Sequence, residues 1–155
     1  QNFIFIIFIF TFCLMFFFFT NIPNLKIVLF ILLFGCFASD IGGYLVGRTF
    51  KGPKLTSISP KKTISGALGS IFFSIMMINI LFFYITKNFS SSILIVSILT
   101  SIGCQLGDLF FSFLKRNAKI KDTGNFLPGH GGILDRLDGI FLGIPLGFIS
   151  LILFN

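Results

Sequence analysis

The sequence has no Glu and no Trp, one His and three Cys among its 155 residues. Only 11% of those residues are charged, where a soluble domain carries about a quarter. That shortage excludes an ordinary water-facing globular surface. Cys13, Cys36 and Cys104 all sit in apolar runs, and their spacing fits neither a zinc site nor a disulfide framework. They read as small buried hydrophobes. With Glu absent, all acidity rests on five Asp residues: Asp40, Asp108, Asp122, Asp135 and Asp138. A chain adding acids for solubility would scatter them. Here each lies inside an apolar run or in one basic loop.

What fills the chain is apolar. Hydrophobic residues make up 55% of it, including 25 Phe, and the mean hydropathy is +1.01. Five runs are expected to cross a bilayer as helices, which takes about 20 residues each: Phe3–Phe19, Ile27–Val46, Ile64–Ile85, Ile93–Phe113 and the short Ile140–Phe154. The first run has no basic leader and no small-residue cleavage site, so it reads as a span rather than a signal peptide. The expected fold is an all-α, polytopic integral membrane bundle of about five helices. It forms a single domain over 1–155, with N-terminal spans in 1–38 and a functional core in 39–155. A chain that starts with Gln rather than Met is expected to be a fragment or processed product that lacks N-terminal spans.

The net charge of +7 is lopsided. The connection 47–63 carries Arg48, Lys51, Lys54, Lys61 and Lys62. The connection 114–139 carries Lys115, Arg116, Lys119, Lys121 and Arg136. The other two connections hold one lysine each, Lys26 and Lys87. Two spans separate the basic connections, so both lie on one face, which the positive-inside rule makes cytoplasmic.

Topology explains the bases but not the acids. A charge at bilayer depth costs on the order of 3 kcal/mol. Ser101, Gln105, Asp108 and Ser112 follow helical spacing, so Asp108 belongs to a polar stripe that should face protein or a wet cavity. Asp40 lies in "SDIGGYLVGR", with Tyr44 one turn on and Gly43 and Gly47 spaced for close helix approach.

The stretch "KDTGNFLPGHGGILDRLDG", 121–139, gathers Lys121, Asp122, His130, Asp135, Arg136 and Asp138 around a turn of Pro128, Gly129, Gly131 and Gly132. Such a turn can aim backbone N–H groups at an anion. Carboxylates suit Mg²⁺, and Lys and Arg suit phosphate. In "SISPKKT", Ser59, Lys61 and Lys62 add hydroxyl and ammonium groups just before the third span. The combination points to metal-assisted phosphoryl chemistry on a substrate that is partly lipid.

The run from Ser112 to Asp138, "SFLKRNAKIKDTGNFLPGHGGILDRLD", closely resembles the signature of the phosphatidate cytidylyltransferase family, and "SPKKT", "GDLF" and "SDIGGYLVGR" are similar to other family segments. The resemblance covers about residues 39–155. It implies a Mg²⁺-dependent nucleotidyltransferase that joins CTP and phosphatidic acid into CDP-diacylglycerol and releases pyrophosphate. A second cation is a further candidate. The implied catalytic residues are Asp108, Asp122, Lys121 and His130, with Asp108 and Asp122 as metal ligands. The implied substrate contacts are Asp40, Ser59, Lys61, Lys62, Lys115, Arg116, Gly131, Gly132, Asp135, Arg136 and Asp138. Expected partners are CTP, phosphatidic acid and the lipid bilayer, with a second copy of the chain as a candidate; nucleic acid is not expected. The expected setting is the bacterial inner membrane, with the site on its cytoplasmic face. Two departures stand out: Phe111 and Ser65 occupy positions where the family is expected to carry acids. The competing readings are an ion-coupled membrane transporter that uses Asp40 and Asp108, and a catalytically weak scaffold member of the same family.

Overall fold

The computed structural model describes residues 2–56, 59, 62–120 and 137–154. The described residues form five helices: α1 (Asn2–Asn21), α2 (Pro23–Phe50), α3 (Ile64–Thr86), α4 (Ser91–Asn117) and α5 (Ile140–Phe154). Pro23 opens α2, where its missing N–H costs nothing. Thr63 caps α3 by accepting the Gly66 N–H at 3.1 Å. By length and composition three helices, α2, α3 and α4, can cross a membrane; α5 is shorter, as its 15 residues foretold. The chain is an all-α integral membrane bundle.

Two helices outrun the expected spans. α2 continues to Phe50, which places Arg48 in its last turn. α4 continues to Asn117, with Lys115 and Arg116 in its last turn. The connections expected to begin at 47 and 114 therefore begin at 51 and 118. Cations are favoured at a helix C-terminus, and their long stems reach the interface from within the helix.

Lipid tails are as apolar as Leu, so apolar area alone does not hold membrane helices together. Close packing at small residues and polar contacts take that role. α2 lies on α3 along Gly35, Gly42, Gly43 and Gly47. A Cβ at Gly42 would stand 2.7 Å from the Gly69 carbonyl oxygen, and one at Gly66 would stand 2.8 Å from the Gly43 carbonyl oxygen. α4 meets α5 along a second ladder. A Cβ at Gly103 would lie 2.9 Å from the Gly143 Cα, and one at Gly107 would lie 2.6 Å from the Asp138 carbonyl oxygen. The first ladder was foreseen in Gly43 and Gly47. The second follows the same four-residue rhythm, in Gly103 and Gly107 against Gly139, Gly143 and Gly147.

Between the ladders lies a core of Leu29, Leu32, Cys36, Ile78, Val96, Cys104, Ile144 and Phe148. Cys36 and Cys104 are buried free thiols, as read from their apolar surroundings, whereas Cys13, also expected to be buried, is exposed on α1. Buried hydroxyls tie the helices across this core. Ser39 and Ser101 share a hydrogen bond of 2.8 Å, and Ser74 donates to the Ser97 carbonyl at 3.3 Å. Among the described residues no buried side-chain polar atom lacks a partner, as a medium without water requires.

The ladder makes a direct prediction. Gly42→Ala drives a methyl into Phe73 and the Gly69 carbonyl, and is expected to destabilise the bundle by about 1–3 kcal/mol. Met76→Leu, on the exposed face of α3, is expected to change stability by less than about 0.5 kcal/mol. Unfolding of both variants in mixed micelles, followed by circular dichroism, checks this.

Candidate functional site

α2, α3 and α4 converge with the 51–63 connection on a cavity of about 560 Å³, within the range of about 300–1,000 Å³ usual for small-ligand sites. α2 contributes Asp40, Gly43, Tyr44, Gly47 and Arg48, at steps of three and four residues that hold them on one face. The connection contributes Leu55, Ser59, Lys62 and Thr63. Gly66, Ala67 and Ser70 come from α3, Gln105 and Asp108 from α4, and Asp138 from the residues just before α5. The glycines set the cavity's shape: where α2 and α3 touch at backbone distance, polar side chains one turn away share a single space.

Asp108 faces this space, not the lipid. Its carboxylate pairs with the Lys62 ammonium at 2.5 Å, and the Ser112 hydroxyl donates to its other oxygen at 3.4 Å. One turn back, Gln105 donates to the Ala67 carbonyl at 3.2 Å and to the Ser101 hydroxyl at 3.4 Å. The predicted stripe of Ser101, Gln105, Asp108 and Ser112 is thus turned inward over its whole length.

Asp138 forms another part of the wall. Lys115 lies 3.5 Å from its carboxylate, and the Gly139 N–H donates to it at 2.9 Å. Burial pushes the Asp138 carboxyl up to about 6, and the negative charge of Asp108 adds to the rise. Lys115 and the Gly139 N–H pull the other way. At neutral pH the wall thus carries a carboxylate held against its environment.

Of the residues expected from sequence, the cavity brings together Asp40, Ser59, Lys62, Asp108 and Asp138. Lys115 reaches it through Asp138. Arg116 is exposed and turned along its own chain, donating to the Ile120 carbonyl at 3.4 Å, and does not line the cavity. Lys61, Lys121, Asp122, His130, Gly131, Gly132, Asp135 and Arg136 lie outside the described residues. Among the described residues no three of His, Cys, Asp and Glu cluster as a metal site. Ser65 does not line the cavity; its hydroxyl lies 3.1 Å from that of Thr63, which does. Phe111 does not line the cavity: it is buried against Phe141, ring centroids 5.4 Å apart. Sequence reading missed Arg48 and Tyr44 as site residues. Arg48 had been counted only as a topological charge, yet Asp40, Tyr44 and Arg48 fall at successive four-residue steps.

Fold and site together define a membrane protein with carboxylates and bases concentrated in one cavity at the end of a helical bundle. The sequence pattern described as the cytidylyltransferase family matches residues 1–154, and the chain belongs to that family. A phosphatidate cytidylyltransferase of Staphylococcus haemolyticus is 40% identical over 140 residues, covering 89% of this chain and 54% of that one. The protein of the same name from Staphylococcus aureus gives the same figures. One from Rickettsia bellii is 40% identical over 128 residues, covering 76% and 55%. The chain spans about half the length of these curated relatives. The transporter reading gains nothing from them.

The raised Asp138 pKa has a definite sign. A carboxyl that holds its proton more tightly folded than unfolded adds stability below its unfolded value, near 3.8, and loses it as pH rises through about 6. Without divalent ions or substrate, the melting temperature of Asp138→Asn relative to wild type is therefore expected to be higher at pH 7.5 than at pH 5. A difference that is flat across this range contradicts the assignment.

Proposed function

We propose that this cavity transfers a cytidylyl group from CTP to phosphatidic acid, giving CDP-diacylglycerol and pyrophosphate, at the cytoplasmic face of a bacterial inner membrane. The observation that carries the reading is the convergence of Asp40, Asp108 and Asp138 with Lys62 and Arg48 on one cavity at the basic end of an apolar bundle. Membership in the cytidylyltransferase family and 40% identity to phosphatidate cytidylyltransferases support the same reaction.

The chemistry follows from charge. A phosphate monoester carries roughly −1.5 to −2 charge near neutral pH, so the lipid phosphate is a nucleophile without a strong catalytic base. Its oxygen forms a bond to the α-phosphorus of CTP while the bond from that phosphorus to the bridging oxygen breaks, and pyrophosphate leaves with the electron pair. The obstacle is the meeting of two polyanions. Lys62 stands where it can pass from Asp108 to a phosphate oxygen. Ser59 and Thr63 offer hydroxyl donors beside it, and Lys61, Lys121 and Arg136 are assigned to the same anions by the family resemblance. His130, Gly131 and Gly132 are assigned to the substrate-facing turn, with Asp135 shaping the loop.

The donor set fits Mg²⁺, which favours carboxylate oxygens and is commonly held by one or two carboxylates together with substrate phosphates. Asp108 and Asp122 would hold it, and when bound it neutralises phosphate charge. The chain's own residues bind, orient and screen. The bundle keeps acyl tails in lipid while the phosphates meet at its edge.

Purified protein given radiolabelled CTP, phosphatidate and Mg²⁺ is expected to move label into the lipid phase. Asp108→Asn is expected to lower that rate by about 100-fold or more, and chelation of divalent ions to abolish it. Lipid label unaffected by Asp108→Asn removes Asp108 from the reaction. No label from folded wild type overturns the proposed activity.

A further inference from the structure

α2 has an exposed seam. Phe30, Phe34, Phe37 and Ile41 recur at steps of four, three and four residues, and all are exposed in the bundle. The same rhythm continues through Tyr44 to Arg48, steps of three and four. These last two differ from the others in one respect: they also line the cavity. The seam therefore begins as a stripe fit for acyl chains and ends as part of the polar site.

The charge balance at that end is uneven. Of the two described cations lining the cavity, Lys62 is paired with Asp108. Arg48 has no carboxylate partner among the described residues. It donates one hydrogen bond, to the Tyr44 hydroxyl at 2.7 Å, and its guanidinium lies 5.9 Å from the centre of the Tyr44 ring. A guanidinium has five N–H donors in a fixed fork that matches phosphate. Tyr44 takes one donor and thereby sets the direction of the rest. An oriented guanidinium with no carboxylate partner among the described residues, at the foot of an apolar stripe, matches a ligand with a phosphate at one end and hydrocarbon at the other.

We infer that Arg48, propped by Tyr44, is the anchor for the phosphate of the lipid substrate, which enters the cavity sideways from the bilayer along the exposed seam of α2. This deepens the proposed function and rests on it for the identity of the lipid. It divides the cavity between its substrates: Lys62 and the 51–63 connection serve the nucleotide side, and the α2 end serves the lipid. Tyr44 is a positioning residue, acting through Arg48.

The test separates the two substrates in wild type, Arg48→Gln, Arg48→Lys and Tyr44→Phe. Arg48 is exposed, so these variants are expected to fold, and Arg48→Lys carries the test should Arg48→Gln not. The KM for phosphatidate, as surface mole fraction, is expected to rise about tenfold or more in Arg48→Gln. It should rise less in Arg48→Lys, which keeps charge without the fork, and by about twofold to fivefold in Tyr44→Phe. The KM for CTP is expected to stay within about twofold of wild type in all three. Binding of dioctanoyl phosphatidate without CTP or Mg²⁺, measured by titration calorimetry, is expected to weaken in parallel, and inorganic phosphate to bind far more weakly than that lipid. A rise in the CTP constant instead, or no change in either, overturns the inference and leaves the proposed reaction standing. Arg48-dependent binding of inorganic phosphate as tight as that of the lipid makes this a free-phosphate site and also overturns it. Should wild type show no turnover, the proposed reaction fails, and the calorimetry still decides whether Arg48 holds a lipid phosphate.

Discussion

A carboxylate within a membrane bundle must face protein or water, and in this chain Asp108 does so by meeting Lys62. The rest of the site is arranged around that pairing. Asp108 sits on a long apolar helix, so the helix must turn its polar stripe inward, and the inward face then needs partners from α2 and α3. Ser39 answers Ser101, the Ala67 carbonyl answers Gln105, and Lys62 answers Asp108. The pair is partly exposed, so its worth lies less in net stability than in fixing which face of α4 looks inward.

Glycine makes such an inward face possible in a medium that does not squeeze helices together. At Gly42 and Gly66 the α2 and α3 backbones are too close for any side chain, and at Gly103 and Gly107 α4 meets α5 in the same way. Gly107 also joins packing to chemistry: it lies one residue before Asp108 and against the carbonyl of Asp138. The contact that docks α5 thus also brings two carboxylates of the site near each other. That proximity is part of why the Asp138 carboxyl holds its proton more tightly than usual.

Much of this was legible in the sequence because membranes make sequence patterns stark. Runs of about 20 apolar residues announce helices, and scarce polar residues at helical spacing announce an inward face. The family resemblance, not spacing, put Asp40, Lys62, Asp108 and Asp138 among the candidate site residues; in the structure these four line one cavity. Helix ends were harder. Arg48, Lys115 and Arg116 read as loop residues because charge normally marks the end of a span, yet long basic side chains let a helix continue into the interface. Arg48 escaped notice as a cavity residue for the same reason: charge at a span's end has a topological explanation that hides a second use. Tyr44 was placed one turn from Asp40 but given no role. Phe111 could be marked in sequence only as a departure from the expected acid. That it packs on Phe141 instead of lining the cavity depends on where α5 lies, and no local pattern reports that.

The inward turn of Asp108 onto Lys62 underlies the whole site, and a double-mutant cycle of Lys62→Met and Asp108→Asn, read as unfolding free energy without divalent ions, tests it most directly. If the two side chains meet, the double variant is expected to differ from the sum of the singles by about 0.5 kcal/mol or more, shrinking as salt is raised. Strict additivity at low salt would mean that the two groups never meet, and the inward site built on them would be contradicted.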